Sequence, residues 1–235
     1  MHPLVTCSGA VSYARPPLCY KAFMTLPFRL MLLLSLGAGC ASAPARVNAP
    51  LGGPPPSASS VQQLYESGRD DEVVSRTVSS SVGSEEIWFG AQSFLRVGQQ
   101  TGAQEQFRRL RDTAQSEGFR RAAEIALARV GGQADAAELA RTAAAAFPGD
   151  AFVQFEAGVS FALQGDMAGA AAAFDAALNA SPMMAYAYYQ SGLAYNRLNR
   201  SDLTIARFEA FVRLAPAAPE RPQVETVLRS ARGGR

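Results

Sequence analysis

Two stretches of the chain decide its fold: EAGVSFALQGDMAGAAAAFDAALNASP at residues 156–182 and QSGLAYNRLNRSDLTIARFEAFVRLAP at residues 190–216. The two stretches are equally long, and small, aromatic and proline residues recur at the same places in both. A fixed period of about 20–50 residues is typical of repeat architectures. The shared places are Gly158, Phe161, Gly165, Ala170, Phe174, Ala177 and Pro182 in the first stretch, and Gly192, Tyr195, Asn199, Thr204, Phe208, Phe211 and Pro216 in the second.

Each recurring place has a physical role in a pair of helices. Gly158 and Gly192 are small enough to let the first helix approach the second closely, and the aromatic residue three positions later fills the space between the two helices. Gly165 and Asn199 stand where the first helix must end in the left-handed conformation, which Gly and Asn tolerate best. The closing prolines stop the second helix. The pattern therefore predicts repeated helix–turn–helix units.

This pattern resembles the tetratricopeptide repeat (TPR), a helix–turn–helix unit of about 34 residues. The resemblance implies an all-α, right-handed helical solenoid. Ala91, Phe94 and Gly98 mark an earlier unit, and Val224 and Leu228 lie at helical spacing in a terminal capping helix. The predicted units are a partial one at 61–83 and full ones at 84–116, 117–150, 151–184 and 185–218, followed by the capping helix and tail at 219–235.

The N-terminal part of the chain predicts an export signal. Arg29 precedes an apolar run at 30–38, which leads to Cys40. The run is shorter than the ~20 residues that span a bilayer, and it has the dimensions of a signal-peptide core. Its end resembles a bacterial lipobox, which implies cleavage before Cys40 and attachment of diacylglycerol and an acyl chain such as palmitate. Residues 1–39 are thus the predicted signal peptide, with Met24 as its predicted start; the alternative is a cytosolic protein with three thiols.

The segment after the predicted lipid anchor predicts where the folded part is held. Ala41 follows Cys40, and in lipoprotein families a residue other than Asp there implies the outer membrane. Residues 40–60 are rich in Pro, Gly and Ser, a composition that cannot bury a core and predicts an extended tether. We therefore expect a lipid-anchored outer-membrane protein whose repeats face the periplasm.

Composition argues against catalysis and against nucleic acid. From residue 40 onward the chain has 19 Arg and 20 acidic residues, a charge of −1, and it has no His or Lys. Catalysis through His, metal sites built on His and phosphate loops that need Lys are thereby excluded for the mature chain. We expect no enzyme activity, no metal and no cofactor other than the lipid on Cys40. A net negative charge is also unfavourable for nucleic-acid binding.

The remaining predicted function is protein binding on the concave face, which the first helices of a repeat solenoid line. Aromatic and Arg side chains that point away from the second helices predict a groove suited to a protein segment. Phe155 and Tyr189 have a second interpretation, because they can equally pack between units. The outer face with Arg108, Arg109 and Arg111 is the competing surface. The predicted groove residues are Trp88, Arg96, Arg121, Arg129, Phe155, Leu163, Tyr186, Tyr189 and Arg197.

TPR lipoproteins of the bacterial envelope provide the functional resemblance. The chain is similar to the pilotins that guide secretin rings of type IV pili into the outer membrane, and to TPR lipoproteins of motility complexes. That resemblance implies a scaffold that assists assembly or stability of an envelope machine, with a secretin or motility-complex subunit as partner. The alternatives are an activator or scaffold for peptidoglycan or polysaccharide synthesis and a general periplasmic interaction protein.

The predicted lipid anchor can be tested with Cys40→Ala, which removes the acylated sulfur. We expect uncleaved precursor and loss of the protein from the outer-membrane fraction, because firm anchoring needs the acyl chains. A chain that begins at Met24 is the control and should be processed like the full frame. A Cys40→Ala variant that migrates and fractionates like the wild type would disprove lipidation.

Overall fold

The structure is a computed structural model that describes residues 60–78 and 81–233, so the predicted signal peptide, Cys40 and the tether lie outside the described residues. The described residues form eleven α-helices and no strand. The helices are α1 (Val61–Glu66), α2 (Asp70–Val78), α3 (Ser84–Arg96), α4 (Gln100–Thr113), α5 (Glu117–Val130), α6 (Ala136–Ala146), α7 (Ala151–Leu163), α8 (Met167–Ala180), α9 (Ala185–Arg197), α10 (Ser201–Leu214) and α11 (Arg221–Gly233).

Close helix approach depends on glycine in the two strongest repeats. A Cβ atom at Gly158 would lie 2.7–2.9 Å from three atoms of the Phe174 ring, and one at Gly192 would lie 2.5 Å from the nearest atom of the Phe208 ring. Both rings are buried. Helix α7 therefore packs against α8, and α9 against α10, only because the first helix of each pair lacks a side chain where the ring lies.

The turns between paired helices share one geometry. Gly165 and Asn199 have φ values of +85° and +57°, and the glycines in the equivalent turns before α2, α4 and α6 are also left-handed. The next residue's N–H then bonds the carbonyl five residues earlier, as from Asp166 to Phe161 at 3.0 Å and from Arg200 to Tyr195 at 3.0 Å. This pattern satisfies carbonyl groups that the end of a helix leaves open.

The unit that contains α5 and α6 distributes its side chains differently. Counting back seven residues from the left-handed glycine gives Gly158 in one unit, and in this unit it gives Ile125. Ile125 is fully buried, and the second helix contributes small residues such as Ala140 instead of a ring. Helix α5 packs directly on α7 as well as on α6. In this unit the large buried residue therefore lies on the first helix, the reverse of the arrangement at Gly158 and Phe174.

The last helix covers the end of the stack. Val224 and Leu228 of α11 are buried, and α11 packs against α10. Among the described residues, none of the helices combines the length and apolar character that crossing a bilayer requires.

Replacing Gly158 by Leu tests the helix packing. A side chain at this position meets the Phe174 ring, so we expect the variant to lose ~1–3 kcal/mol of unfolding free energy from overpacking. Ala172→Leu, on the exposed side of α8, is the size-matched control and should stay close to the wild type. Equal denaturation midpoints for the two variants would contradict the packing at Gly158.

Candidate functional site

The predicted concave face is formed by α3, α5, α7 and α9, and four of its nine predicted contact residues belong to the core. Trp88, Phe155, Tyr186 and Tyr189 are between 1% and 7% exposed. The prediction that these four rings line an accessible groove is therefore wrong, because they pack against one another and against neighbouring helices. For Phe155 and Tyr189 the packing interpretation holds.

A buried carboxylate lies at the centre of this face. Glu156 of α7 is fully buried, and Trp88 Nε1 donates to its Oε1 at 2.8 Å. Gln92 Nε2 donates to the same oxygen at 2.5 Å, and Arg129 Nη2 donates to Oε2 at 2.6 Å. The donors come from α3 and α5, so one side chain ties three first helices together. We call these four residues the Glu156 cluster.

Aromatic contacts surround the Glu156 cluster. The Trp88 ring meets the Phe155 ring edge to face, with centroids 5.2 Å apart, and the Phe152 ring in the same manner at 5.1 Å. Such arrangements are favourable because the ring edge is positive and the ring face negative. The space that a bound peptide would need beside Trp88 is therefore occupied by the protein's own rings.

A second cluster lies at the C-terminal end of α3, and we call it the Arg96 cluster. Arg96 Nε donates to Asp70 Oδ1 at 3.0 Å, and Nη2 donates to the Tyr65 carbonyl at 2.9 Å. Arg96 Nη1 donates to the Tyr186 hydroxyl, which in turn donates to Glu220 Oε2 at 2.7 Å. The guanidinium carbon lies 4.0 Å from the centroid of the Tyr65 ring. Arg96 thus joins α1, α2 and α9 with the segment before α11.

Burial and neighbouring charges shift the pKa values of two groups in the Arg96 cluster, the Tyr186 phenol and the Arg96 guanidinium. Burial raises the pKa of Tyr186, and the negative charge of Glu220 adds to that rise while Arg96 opposes it. For Arg96 burial works toward a lower pKa, but Tyr65, Tyr186 and the two carboxylates outweigh it, so the pKa of the guanidinium is raised. The Tyr186 phenol therefore stays neutral and the Arg96 guanidinium stays charged at physiological pH.

The first and last parts of the described chain touch beside the Arg96 cluster. Gly68, in the turn between α1 and α2, has a φ of +73°, and a Cβ atom there would lie 2.8 Å from Pro219 Cδ. Pro219 precedes α11, so the N-terminal helix pair packs against the segment that leads into the capping helix. Sequence reasoning missed this contact, because both segments lie outside the strong repeats.

Three of the nine predicted residues keep accessible side chains. Leu163 is 53% exposed, Arg197 is exposed, and Arg121 is partly exposed and paired with Glu117 and Glu124. Arg96 and Arg129, by contrast, are mostly buried in their ion pairs. The accessible part of the predicted groove is thus limited to the C-terminal ends of α7 and α9 and the N-terminal half of α5.

On the competing outer face, two of the three arginines already bond to other groups of the same chain. Arg109 donates to the Thr77 carbonyl at 2.6 Å, and Arg111 pairs with Asp112 at 2.7 Å. Arg108 is exposed on the same helix.

No group of three acidic, His or Cys side chains within 60–78 and 81–233 has the arrangement of a metal site.

Glu156 carries a testable consequence for stability. Glu156→Gln leaves Arg129 buried without a carboxylate, and breaking a buried pair in this way costs about 3–5 kcal/mol. Glu138→Gln is the matched control, since its pair with Arg141 is exposed and such pairs contribute ~0–1 kcal/mol. Chemical denaturation measures both. Equal losses would contradict the burial of Glu156, whereas the double variant Glu156→Leu/Arg129→Met should recover part of the lost stability.

Comparison with known proteins identifies the fold. No protein-family model and no curated sequence matches the chain. Among solved structures, TTC0263, a thermophilic TPR protein of Thermus thermophilus, is similar with a TM-score of 0.52 and 18% identity over 73% of this chain and 94% of that one. A TPR protein of Parabacteroides merdae has a TM-score of 0.43 and 16% identity over 64% of this chain and 60% of its own. YrrB, described as a TPR protein with an unusual peptide-binding site, has a TM-score of 0.43 and 14% identity over 71% and 88%. The likeness to TTC0263 and the helix pairs together confirm the prediction of an all-α, TPR-type solenoid.

Proposed function

We propose that this protein is a non-enzymatic protein-interaction scaffold that assists assembly or stability of an envelope machine, such as a pilus secretin or a gliding-motility complex. In this proposal the lipidated Cys40 anchors it in the outer membrane and the repeats face the periplasm. The observation that carries the binding role is an exposed apolar strip, bordered by Arg197, on the first helices of the last two repeats.

The apolar strip consists of Val159, Leu163 and Leu193, and Arg197 borders it. Residues four apart lie on one face of a helix, so each pair forms a stripe along α7 or α9. Leu163 and Arg197 hold the same place in successive units, and α7 contacts α9. The two stripes therefore lie side by side.

Exposure makes the strip a candidate for partner contact. Leu163 and Leu193 are 53% and 38% exposed, and Val159 is half-buried. Contiguous exposed apolar surface rimmed by polar residues is typical of protein-binding sites. Arg is enriched at such sites because its guanidinium binds carboxylates and carbonyl groups through several donors. The expected partner segment has apolar anchors and an acidic residue.

The proposal is tested by recovering partners from outer membranes with the lipidated, tagged chain. Leu163→Asp places a charge in the strip, and we expect recovery of a secretin or motility-complex subunit to fall by about tenfold or more, equivalent to ~1.4 kcal/mol. Met183→Asp is the control, because Met183 is 63% exposed outside the strip. Both variants should melt like the wild type.

Two outcomes would overturn the proposal. If Leu163→Asp and Met183→Asp recover the same amounts of every partner, while reversing the charges of Arg108, Arg109 and Arg111 loses them, the outer face binds instead. If the partner lost on Leu163→Asp is a peptidoglycan or polysaccharide synthase, the chain serves synthesis rather than a secretin or motility complex.

A further inference from the structure

We infer that the part of the Arg96 cluster contributed by the repeats, Arg96 and Tyr186 together with Phe89, is a recognition site for an aromatic side chain followed by a carboxylate. The chain's own α1–α2 segment, through Tyr65 and Asp70, occupies this site until a partner segment of the same chemistry displaces it. The inference rests on the proposed role as an interaction scaffold and adds a second, internally occupied binding site to it. It concerns different residues from the exposed strip on α7 and α9.

The aromatic half of the site is built around Tyr65 of α1. Its ring centroid lies 4.9 Å from that of Tyr186 and 5.2 Å from that of Phe89, while the Arg96 guanidinium lies over its face at 4.0 Å. Phe89 and Arg96 belong to α3 and Tyr186 to α9, so the pocket walls come from the repeats. An aromatic ring from another chain would find the same two rings and the same cation–π contact.

The carboxylate half of the site is built around Asp70. Arg96 Nε and Nη2 both reach Asp70 Oδ1, at 3.0 and 2.9 Å, and Nη2 also donates to the Tyr65 carbonyl. One guanidinium thus contacts the ring, the backbone and a carboxylate of a single stretch, residues 65–70. This combination requires the planar fork of Arg, because a Lys ammonium cannot make the same set of contacts.

Two features make the internal occupant replaceable. Helix α1 has six residues, and helices this short are marginal without tertiary contacts. Asp70 also shares Arg96 with Glu220, whose Oε1 lies 4.0 Å from Nη1, so two carboxylates face one guanidinium. A partner carboxylate can therefore take the place of Asp70 without leaving Arg96 buried and unpaired.

The geometry of the occupant defines the partner. Tyr65 and Asp70 are separated by a turn at Gly68, where φ is +73°. A matching partner segment has a Tyr or Phe, a Gly or Asn that allows a left-handed turn, and an Asp or Glu about five residues after the aromatic residue. Displacement would also separate Gly68 from Pro219, so binding would release the N-terminal helix pair from the capping segment.

A synthetic peptide of residues 60–72, SVQQLYESGRDDE, tests the inference against the full chain. We expect it to bind the Tyr65→Leu/Asp70→Asn chain, in which the internal occupant is weakened, at least about tenfold more tightly than the wild type, because apparent affinity follows the fraction of open sites. Adding Arg96→Lys to that chain should reduce binding by about tenfold or more, since Lys lacks the planar fork. The same peptide with Tyr65→Ala should not compete with the original peptide for binding to the Tyr65→Leu/Asp70→Asn chain.

Several results would overturn the inference. The inference fails if the peptide binds the wild type and the Tyr65→Leu/Asp70→Asn chain equally well, or if Arg96→Lys leaves its binding undiminished. It also fails if the peptide does not bind a Tyr65→Leu/Asp70→Asn chain whose circular dichroism spectrum is native. Hydrogen exchange of α1 in the wild type needs no variant, and it should accelerate with excess peptide; unchanged exchange at saturating peptide contradicts displacement. Leu163→Asp should leave peptide binding intact, so failure here is distinguishable from failure of the exposed strip.

Discussion

A carboxylate removed from water must be met by donors, and this requirement at Glu156 shapes the inner face of the repeats. Its two oxygens accept from Trp88, Gln92 and Arg129, which lie on two other first helices. A buried ion pair adds little net stability compared with apolar packing, but losing one partner is costly. The Glu156 cluster therefore constrains geometry: α3, α5 and α7 must meet in this arrangement for both carboxylate oxygens to receive their hydrogen bonds.

The helix pairs were predictable from the sequence, because their determinants are local. Gly158 and Phe174 lie within one repeat unit, and Gly165 ends a helix through its own backbone preference. Which side chains pack together on the concave face was not predictable from local sequence. Helical phase places Trp88 and Phe155 on the inner side of their helices, but it does not indicate that the two rings, which belong to non-adjacent units, meet each other.

Two features of the sequence can be related to the closed face, by which we mean the concave face filled by the protein's own side chains. Glu156 is the one charged residue in the otherwise apolar and polar-neutral helix α7, and a lone charge beside aromatic residues needs a partner. Tyr65 lies in the weakest repeat, and its ring contacts the Tyr186 ring of α9. Because the aromatic side chains of the concave face pack against one another, the proposed binding sites are two other places. These are the exposed strip at Leu163 and Leu193, and the Arg96 cluster with its internal occupant.

The state of Trp88 tests most directly whether the concave face is filled by the protein's own side chains. It is the single tryptophan of the chain, it is 1% exposed, and its indole N–H bonds a buried carboxylate. Selective tryptophan fluorescence of the native chain should therefore lie at shorter wavelength than that of the denatured chain and should resist quenching by acrylamide. Native emission at the denatured wavelength, with full access to the quencher, would show an open groove and contradict the closed face.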